Sequence, residues 1–333
     1  MKKDRESLFD NIKGLMLILV VMGHTLDPFI VSQNSLFRYI MQYIYLFHMP
    51  MFAFVTGYFT KDDEKAREGA VKKILIPYIL IQGVYILMAS LLIYVGAANY
   101  NEDVFKPSVL LPTSPLYYLL CVFFWKLFVK DIHRLRFPIL FSVIAGVLIS
   151  ITANDDFHIG LGATFSLLIF FVLGTKFTKG TVDKIRSIPK IAGVFILLLG
   201  VIPAVVLPYN FRNVRFTYHY VGLENGIGMA YRLLFYVIAV LMILAIINLM
   251  PDKHSILSRI GENSIIVYAG SSFVAPFAYL LLIKVVPLEG NMYLNLAGII
   301  IFSVIVTLFF SMKWIKKIYD WILEKIYLGI YHR

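Results

Sequence analysis

Hydrophobic residues in this chain come in long unbroken runs, not in an alternating or amphipathic rhythm. Ten runs reach or approach the ~20 apolar residues that a helix needs to cross a bilayer. They lie near 12–31, 37–59, 74–96, 114–130, 137–152, 159–177, 190–208, 226–250, 263–286 and 292–312, the fourth and fifth being short. In lipid only helices or closed barrels satisfy their own backbone. The pattern therefore predicts an all-α, polytopic integral membrane helical bundle of about ten transmembrane helices over residues 1–312. Residues 313–333 break the rhythm. Trp314, Ile318, Trp321 and Ile322 alternate there with Lys316, Lys317 and Lys325 at helical spacing. This stretch reads as a basic amphipathic cytoplasmic tail lying on the inner leaflet. No internal repeat, low-complexity linker or soluble catalytic domain is visible.

Composition agrees with lipid as the solvent, because 59% of the residues are hydrophobic and only 15% charged. A water-soluble fold of this length has no way to hide so much apolar surface. The net charge of +11 suggests nucleic acid at first sight, but the basic residues fall in short loops between the apolar runs. Their placement reports membrane topology instead. An inside N-terminus puts Lys2, Lys3, Arg5 and Lys13 on the cytoplasmic side, then Lys61, Lys65, Arg67, Lys72 and Lys73. Lys130, Arg134, Arg136, the cluster from Lys176 to Lys190, Lys253, Arg259 and the tail follow there. The outer half keeps Arg38, Lys106, Arg212, Arg215, Arg232 and Lys284. Both termini are thus expected in the cytoplasm. The single cysteine, Cys121, excludes an intrachain disulfide. The first apolar run is long enough to span and is followed by a polar turn, so no cleavable leader is expected.

Ionisable residues inside such runs are costly and usually face a cavity. Lys13 opens the first run and His24 follows eleven residues later. Eleven helical steps return to within ~20° of the start and rise ~16 Å, so the two share a face. The second run holds His48, followed by Pro50, which removes a backbone donor and kinks a helix. His48 is expected near the middle of that run, at the depth of His24. Lys72 and Lys73 precede Pro77 at the mouth of the third run and suit an anion as point charges. Arg232 lies inside the eighth run, and Asp10 and Asp27 flank the first. Each has a plainer reading: a core histidine bonded to backbone, an interfacial lysine, a helix-end carboxylate. The longer outer loops are 97–113 and 208–225. The second carries Tyr209, Arg212, His219, Tyr220 and Glu224, a composition that suits sugars and also ordinary aromatic belts. The seven histidines form no i, i+4 pair and no metal site is expected. No nucleotide-binding loop or Gly-x-Ser-x-Gly elbow occurs.

Four stretches together resemble the membrane-bound acyltransferase 3 family, in particular its fucose 4-O-acetylase-like and polysaccharide O-acetyltransferase members. They are Asp10-Asn11-Ile12-Lys13-Gly14 through Gly23-His24, the run from Phe47-His48-Met49-Pro50 to Gly57-Tyr58, Lys72-Lys73 to Pro77-Tyr78, and Ile260-Gly261-Glu262-Asn263-Ser264 to Tyr268. The resemblance implies an O-acyltransferase, foremost an O-acetyltransferase, in the bacterial cytoplasmic membrane. It moves an acyl group from cytoplasmic acetyl-coenzyme A, a substrate and not a resident cofactor, to a sugar hydroxyl of an envelope polysaccharide or lipid-linked sugar. His24 and His48 become the catalytic candidates. Lys13, Lys72, Lys73, Asp10 and Arg232 become donor-side residues, and Arg212, His219 and Glu224 acceptor-side residues. The chain departs from many members at Lys13, where they carry arginine. It also has Leu116 where a tryptophan is common, and Ser271 where a histidine follows the late tyrosine. A transporter or flippase for a lipid-linked glycan uses a similar polar cavity without an acyl donor, and is the competing class.

Overall fold

The computed structural model describes residues 6–30, 35–94, 109, 112, 116–149, 160–207, 225–271, 273–274 and 292–330. Every regular element among them is helical. In chain order these are α1 (Ser7–Ile30), α2 (Ser35–Tyr45), α3 (His48–Tyr58) and α4 (Asp63–Ala70). A π-helical turn (Val71–Leu75) leads into α5 (Ile76–Tyr94), followed by α6 (Tyr117–Arg134), α7 (Pro138–Ile149) and α8 (Leu161–Lys176). Then come α9 (Lys179–Ser187), α10 (Lys190–Leu199), α11 (Val201–Val206), α12 (Asn225–Leu249) and α13 (Ile256–Glu262). A helix over 264–271, α14, precedes α15 (Met292–Phe310) and α16 (Lys313–Ile330). Four helical segments are long and apolar enough to cross a membrane: Ser7–Leu26, Asp63–Leu91, Gly226–Leu249 and Met292–Phe310. A fifth is added if Leu161–Lys176 and Lys179–Ser187 form one broken span. The described helices therefore establish four or five spans, against the ten that hydropathy predicts.

The second apolar run departs most clearly from its expected form. It is two helices, not one, and the chain turns at Leu46–Phe47. His48 is accordingly the first residue of α3, not the middle of a span. The cause is Pro50. It has no N–H to offer the carbonyl of Leu46, so the ladder fails one turn ahead of it. The last turn of α2 tightens in response, with the Phe47 amide bonding the Ile44 carbonyl at 3.3 Å.

The chain forms two compact units, with boundaries inside α3 and α12. The first holds residues 1–55, 177–212 and 235–333. Its organising helix is α1, which buries Phe9, Ile12, Met16 and Leu17 completely and packs on α13, α15 and α2. Met22 and Leu26 form a cluster with Phe37, Met41 and Ile44 of α2 and Ile299 of α15. Elsewhere in the unit, the α12 end is stitched to the α9–α10 corner. The Asn248 amide donates to the Ile185 and Ile188 carbonyls at 2.8 Å each, and Arg186 donates to the Met250 carbonyl at 2.7 Å.

The second unit holds residues 56–176 and 213–234. Here α6 packs on α4 and α8, and α7 on α8. The Trp125 indole donates to the Thr164 carbonyl at 2.9 Å and its ring stacks on Phe171. Gly57 lies against the backbone of Phe171, where a Cβ would come within 2.0 Å of the carbonyl oxygen. Thr56 and the Tyr118 hydroxyl bond at 2.8 Å. The Val55-Thr56-Gly57-Tyr58 end of the second motif is therefore a packing device. Leu116 is wholly buried just before α6.

Candidate functional site

The site is built from α1 upward. The helix is unbroken from Ser7 to Ile30, so the shared face of Lys13 and His24 holds along its backbone. Lys13 is not a lone cation. Its Nζ sits 2.7 Å from Oδ1 of Asp10, with side-chain exposures of 20% and 5%. A buried carboxylate needs such a partner, and it in turn restrains the direction of the ammonium. Asp10 is thus the orienting residue of the pair.

What holds this pair in place is the late motif, which sequence spacing leaves isolated. Gly14 and Gly261 let α1 and α13 touch backbone to backbone. A Cβ at Gly14 would lie 2.1 Å from the Leu257 carbonyl oxygen, and one at Gly261 would lie 1.9 Å from that of Asp10. Between them Asn11, buried, joins both helices. Its amide donates to the Pro251 and Lys253 carbonyls at 2.9 Å each. Its carbonyl accepts from the Ser255 and Ser258 hydroxyls at 2.6 Å each. All four hydrogen-bonding positions of the amide are filled. Ser255 also caps α13, accepting from the Leu257 amide at 3.1 Å. The signal for Asn11 in the sequence is a neutral polar residue inside an apolar helix; its partners, more than 200 positions away, leave no such trace.

Eleven residues beyond Lys13 along α1, His24 is half-buried. The preceding Gly23 faces Tyr45, whose ring carbon would lie 3.0 Å from a Cβ there. The Tyr45 ring meets His48 edge-on, with centroids 4.6 Å apart. Tyr45 therefore links the neighbourhood of His24 to His48, a role that the sequence does not announce. His48 itself is buried, and its Nδ1 lies 2.9 Å from the Ile44 carbonyl. A carbonyl only accepts, so Nδ1 carries the proton and Nε2 of the neutral ring is the acceptor. This bond also replaces the helical bond that Ile44 loses at the α2–α3 break. The bond is that of a histidine stabilising a kink, and it leaves Nε2 as the acceptor of the ring.

The two ring nitrogens are separable by substitution. His48→Asn keeps a donor at the Nδ1 position and removes Nε2; His48→Gln does the reverse. The Asn variant is expected to melt near wild type and the Gln variant to melt lower. Equal melting of the two would show that the bond to Ile44 adds no stability.

The second unit carries Lys72 and Lys73, both exposed on the π-helical turn, and Arg232, wholly buried in α12. The Ile76 amide bonds the Val71 carbonyl, five residues back. This wider turn comes just before Pro77, whose ring would otherwise press on the Lys73 carbonyl. A buried guanidinium within a candidate span must face protein, not lipid. On the same unit, His133 bonds Asp63 at 3.0 Å and Thr175 at 2.9 Å, and Lys130 pairs with Glu64. Outside the spans, the Lys65 amide bonded to Asp62 holds that carboxyl below its usual range. Ser271 turns its hydroxyl back to the Tyr268 carbonyl at 2.9 Å and is buried. Arg212, His219 and Glu224 lie outside the described residues, as does the side chain of Asp27. Among the described residues no group of three or more His, Cys, Asp or Glu could hold a metal.

Apolar helices of spanning length, one carrying a half-buried histidine and the Asp10–Lys13 pair and another a buried arginine, define an integral membrane protein. Comparison with known sequences names its kind. The family model described as an acyltransferase domain matches residues 7–313, and the chain belongs to that family, acyltransferase 3. A segment of 58 residues is 40% identical to the nodulation protein NolL of Sinorhizobium fredii. The match covers 16% of this chain and 16% of that protein. No solved structure matches.

Proposed function

We propose that the protein moves an acetyl group from cytoplasmic acetyl-coenzyme A to a sugar hydroxyl of an envelope polysaccharide or lipid-linked sugar. It would sit in the bacterial cytoplasmic membrane with ten crossings and both ends inside. The observation that carries the reading is α1: within an acyltransferase domain, one unbroken helix bears an oriented cation at one end and a half-buried histidine on the same face. Coenzyme A carries several phosphates and does not cross lipid unaided, so its thioester has to enter from a basic mouth. Lys72 and Lys73 supply that charge, and the Asp10–Lys13 pair directs a donor hydrogen bond.

In the reaction, the sugar oxygen attacks the thioester carbonyl while its proton passes to an imidazole. The C–O bond forms, the C–S bond breaks, and the leaving thiolate takes the proton back from the imidazolium. His24 is the base or the acyl relay; His48, held through Tyr45, orients it or shares the proton. Arg232 stabilises the oxyanion or holds the acceptor, and Arg212, His219 and Glu224 belong to the acceptor loop.

The test uses purified protein in vesicles of uniform orientation. Acetyl-coenzyme A is given on the side of Lys72 and the acceptor glycan on the other, and glycan mass is read for an acetyl increment. Transfer is expected with the substrates on opposite sides. Transfer only when both share a side would end the two-mouth reading and place the modification before export. Export of unmodified glycan without thioester consumption would favour a flippase.

A further inference from the structure

The match to the family model ends at residue 313, where α16 begins, and the transfer proposed above makes no use of that helix. Only Ser311 and Met312 separate it from α15. The 19 residues of α15 rise ~28 Å, close to the ~30 Å of a bilayer's hydrocarbon core. Lys313 therefore stands at a membrane surface. Lys313, Lys316, Lys317, Asp320, Glu324 and Lys325 keep α16 itself out of the hydrocarbon.

The helix has three sides. At ~100° per residue, Ile315, Tyr319, Leu323, Ile326 and Tyr327 form one stripe, and all five are half-buried against the rest of the chain. Lys313, Lys316, Lys317, Asp320 and Glu324 form a charged stripe. The third consists of Trp314, Ile318, Trp321, Ile322 and Leu328, and it is bare: Trp314 is 51% exposed and Trp321 60%. What lies over it follows from Trp314. That ring meets Phe309 edge-on, with centroids 5.8 Å apart, and its indole N–H donates to the Met312 sulfur at 3.3 Å. Phe309 belongs to the last turn of α15 and is itself exposed, so on a spanning helix it faces lipid. The bare stripe of α16 continues that lipid-facing surface around the corner. Tryptophan is also a side chain that membrane interfaces favour, whereas in water the stripe would be an uncovered apolar patch.

Charge then selects among lipids. Lys316 is paired with Asp320 at 2.7 Å, which leaves Lys313, Lys317 and Lys325 against Glu324. Lys325 stands within the bare stripe, one turn beyond Trp321, and bonds no described residue. At an interface its stem lies along the apolar surface while its ammonium rises to the headgroup phosphates. An excess of lysine at that level favours an anionic leaflet.

We propose that α16 is an interfacial helix that binds anionic phospholipid through Trp314, Trp321 and Lys325, and so holds the end of α15 at headgroup level. In turn α15 packs on α1, the helix of Lys13 and His24.

Tryptophan quenching in the full-length protein tests this. The chain has three tryptophans, and Trp125 is wholly buried, so accessible emission comes from Trp314 and Trp321. The probes are phosphatidylcholine and phosphatidylglycerol brominated near the headgroup end of their acyl chains, and aqueous acrylamide. Each brominated lipid is a minor component of phosphatidylcholine nanodiscs at low salt. Brominated lipid is expected to quench strongly and acrylamide weakly, and the Trp314→Phe/Trp321→Phe variant should lose the lipid quenching. At equal mole fraction, brominated phosphatidylglycerol should quench about fivefold more than brominated phosphatidylcholine, the preference that one lysine near an anionic surface gives. Lys325→Gln should remove that excess and Lys325→Arg should keep it. None of these readouts depends on acyl transfer. Stronger quenching by acrylamide than by lipid puts the tail in water and overturns the proposal. If neither reaches the two tryptophans, protein such as a second copy of the chain covers the stripe, and the proposal also falls. Equal quenching by the two brominated lipids overturns the anionic headgroup as partner.

Discussion

His24→Ala is expected to lower acyl transfer by about 10²–10⁴-fold, the range for removing a positioned proton-transfer group, and to leave the fold intact. The second half of that expectation comes from its neighbours. Thr25, wholly buried, bonds back to the Val21 carbonyl at 2.8 Å, and Gly23 rests on Tyr45. Neither contact uses the imidazole. Alanine is the strongest helix former, so α1 loses no propensity. His24 lies ~16 Å along the helix from Lys13, on its face, which is why the loss should fall on the chemistry. Acetyl transfer and thermal melting of the purified variant are the readouts. Wild-type glycan ester at a wild-type melting temperature would falsify the catalytic assignment.

Gly261→Ala is expected to destabilise the chain by about 3–5 kcal/mol or prevent its accumulation, the large end of single-substitution effects. The new Cβ would lie 1.9 Å from the Asp10 carbonyl oxygen, a backbone atom that no side-chain rotation clears. The helices must part, and that stretches the four hydrogen bonds of Asn11 and displaces the Asp10–Lys13 pair. Gly14→Ala meets the Leu257 carbonyl oxygen at 2.1 Å and should behave alike. The control is Gly298→Ala in α15, where nothing lies within 4 Å of the new Cβ. It should be neutral or stabilising by up to ~1 kcal/mol. Melting curves of the three variants in one detergent decide the matter. A Gly261→Ala protein that melts with the Gly298→Ala control would show that the seam yields without cost.

Much of the protein is written locally. A long apolar run has to become a helix in lipid because its backbone has no other partner, and the places of α1, α5, α12 and α15 follow from that alone. The common face of Lys13 and His24 follows too, because it depends only on the pitch of one continuous helix. Pro50 announces a kink for the same local reason. The turn at Leu46–Phe47 is harder to read, since neither residue is a turn former and both sit in an apolar run. It appears where the proline's missing donor is felt, four residues upstream, and His48 is recruited as its cap.

Other features depend on residues that the chain brings together from far apart. Periodicity shows that Asn11, Gly14 and Gly261 lie on helices. It does not show that Gly14 and Gly261 must be glycines because two backbones meet there, or that Asn11 has four partners near residues 251–258. Tyr45 looks like any aromatic in a membrane run until its ring is found between Gly23 and His48. Hydrophobic pattern and helix pitch are properties of neighbours in sequence, so the sequence by itself determined the membrane class, the principal helices and the Lys13–His24 face. Close approach and hydrogen-bond partnership are properties of neighbours in space, and only the tertiary structure decided them.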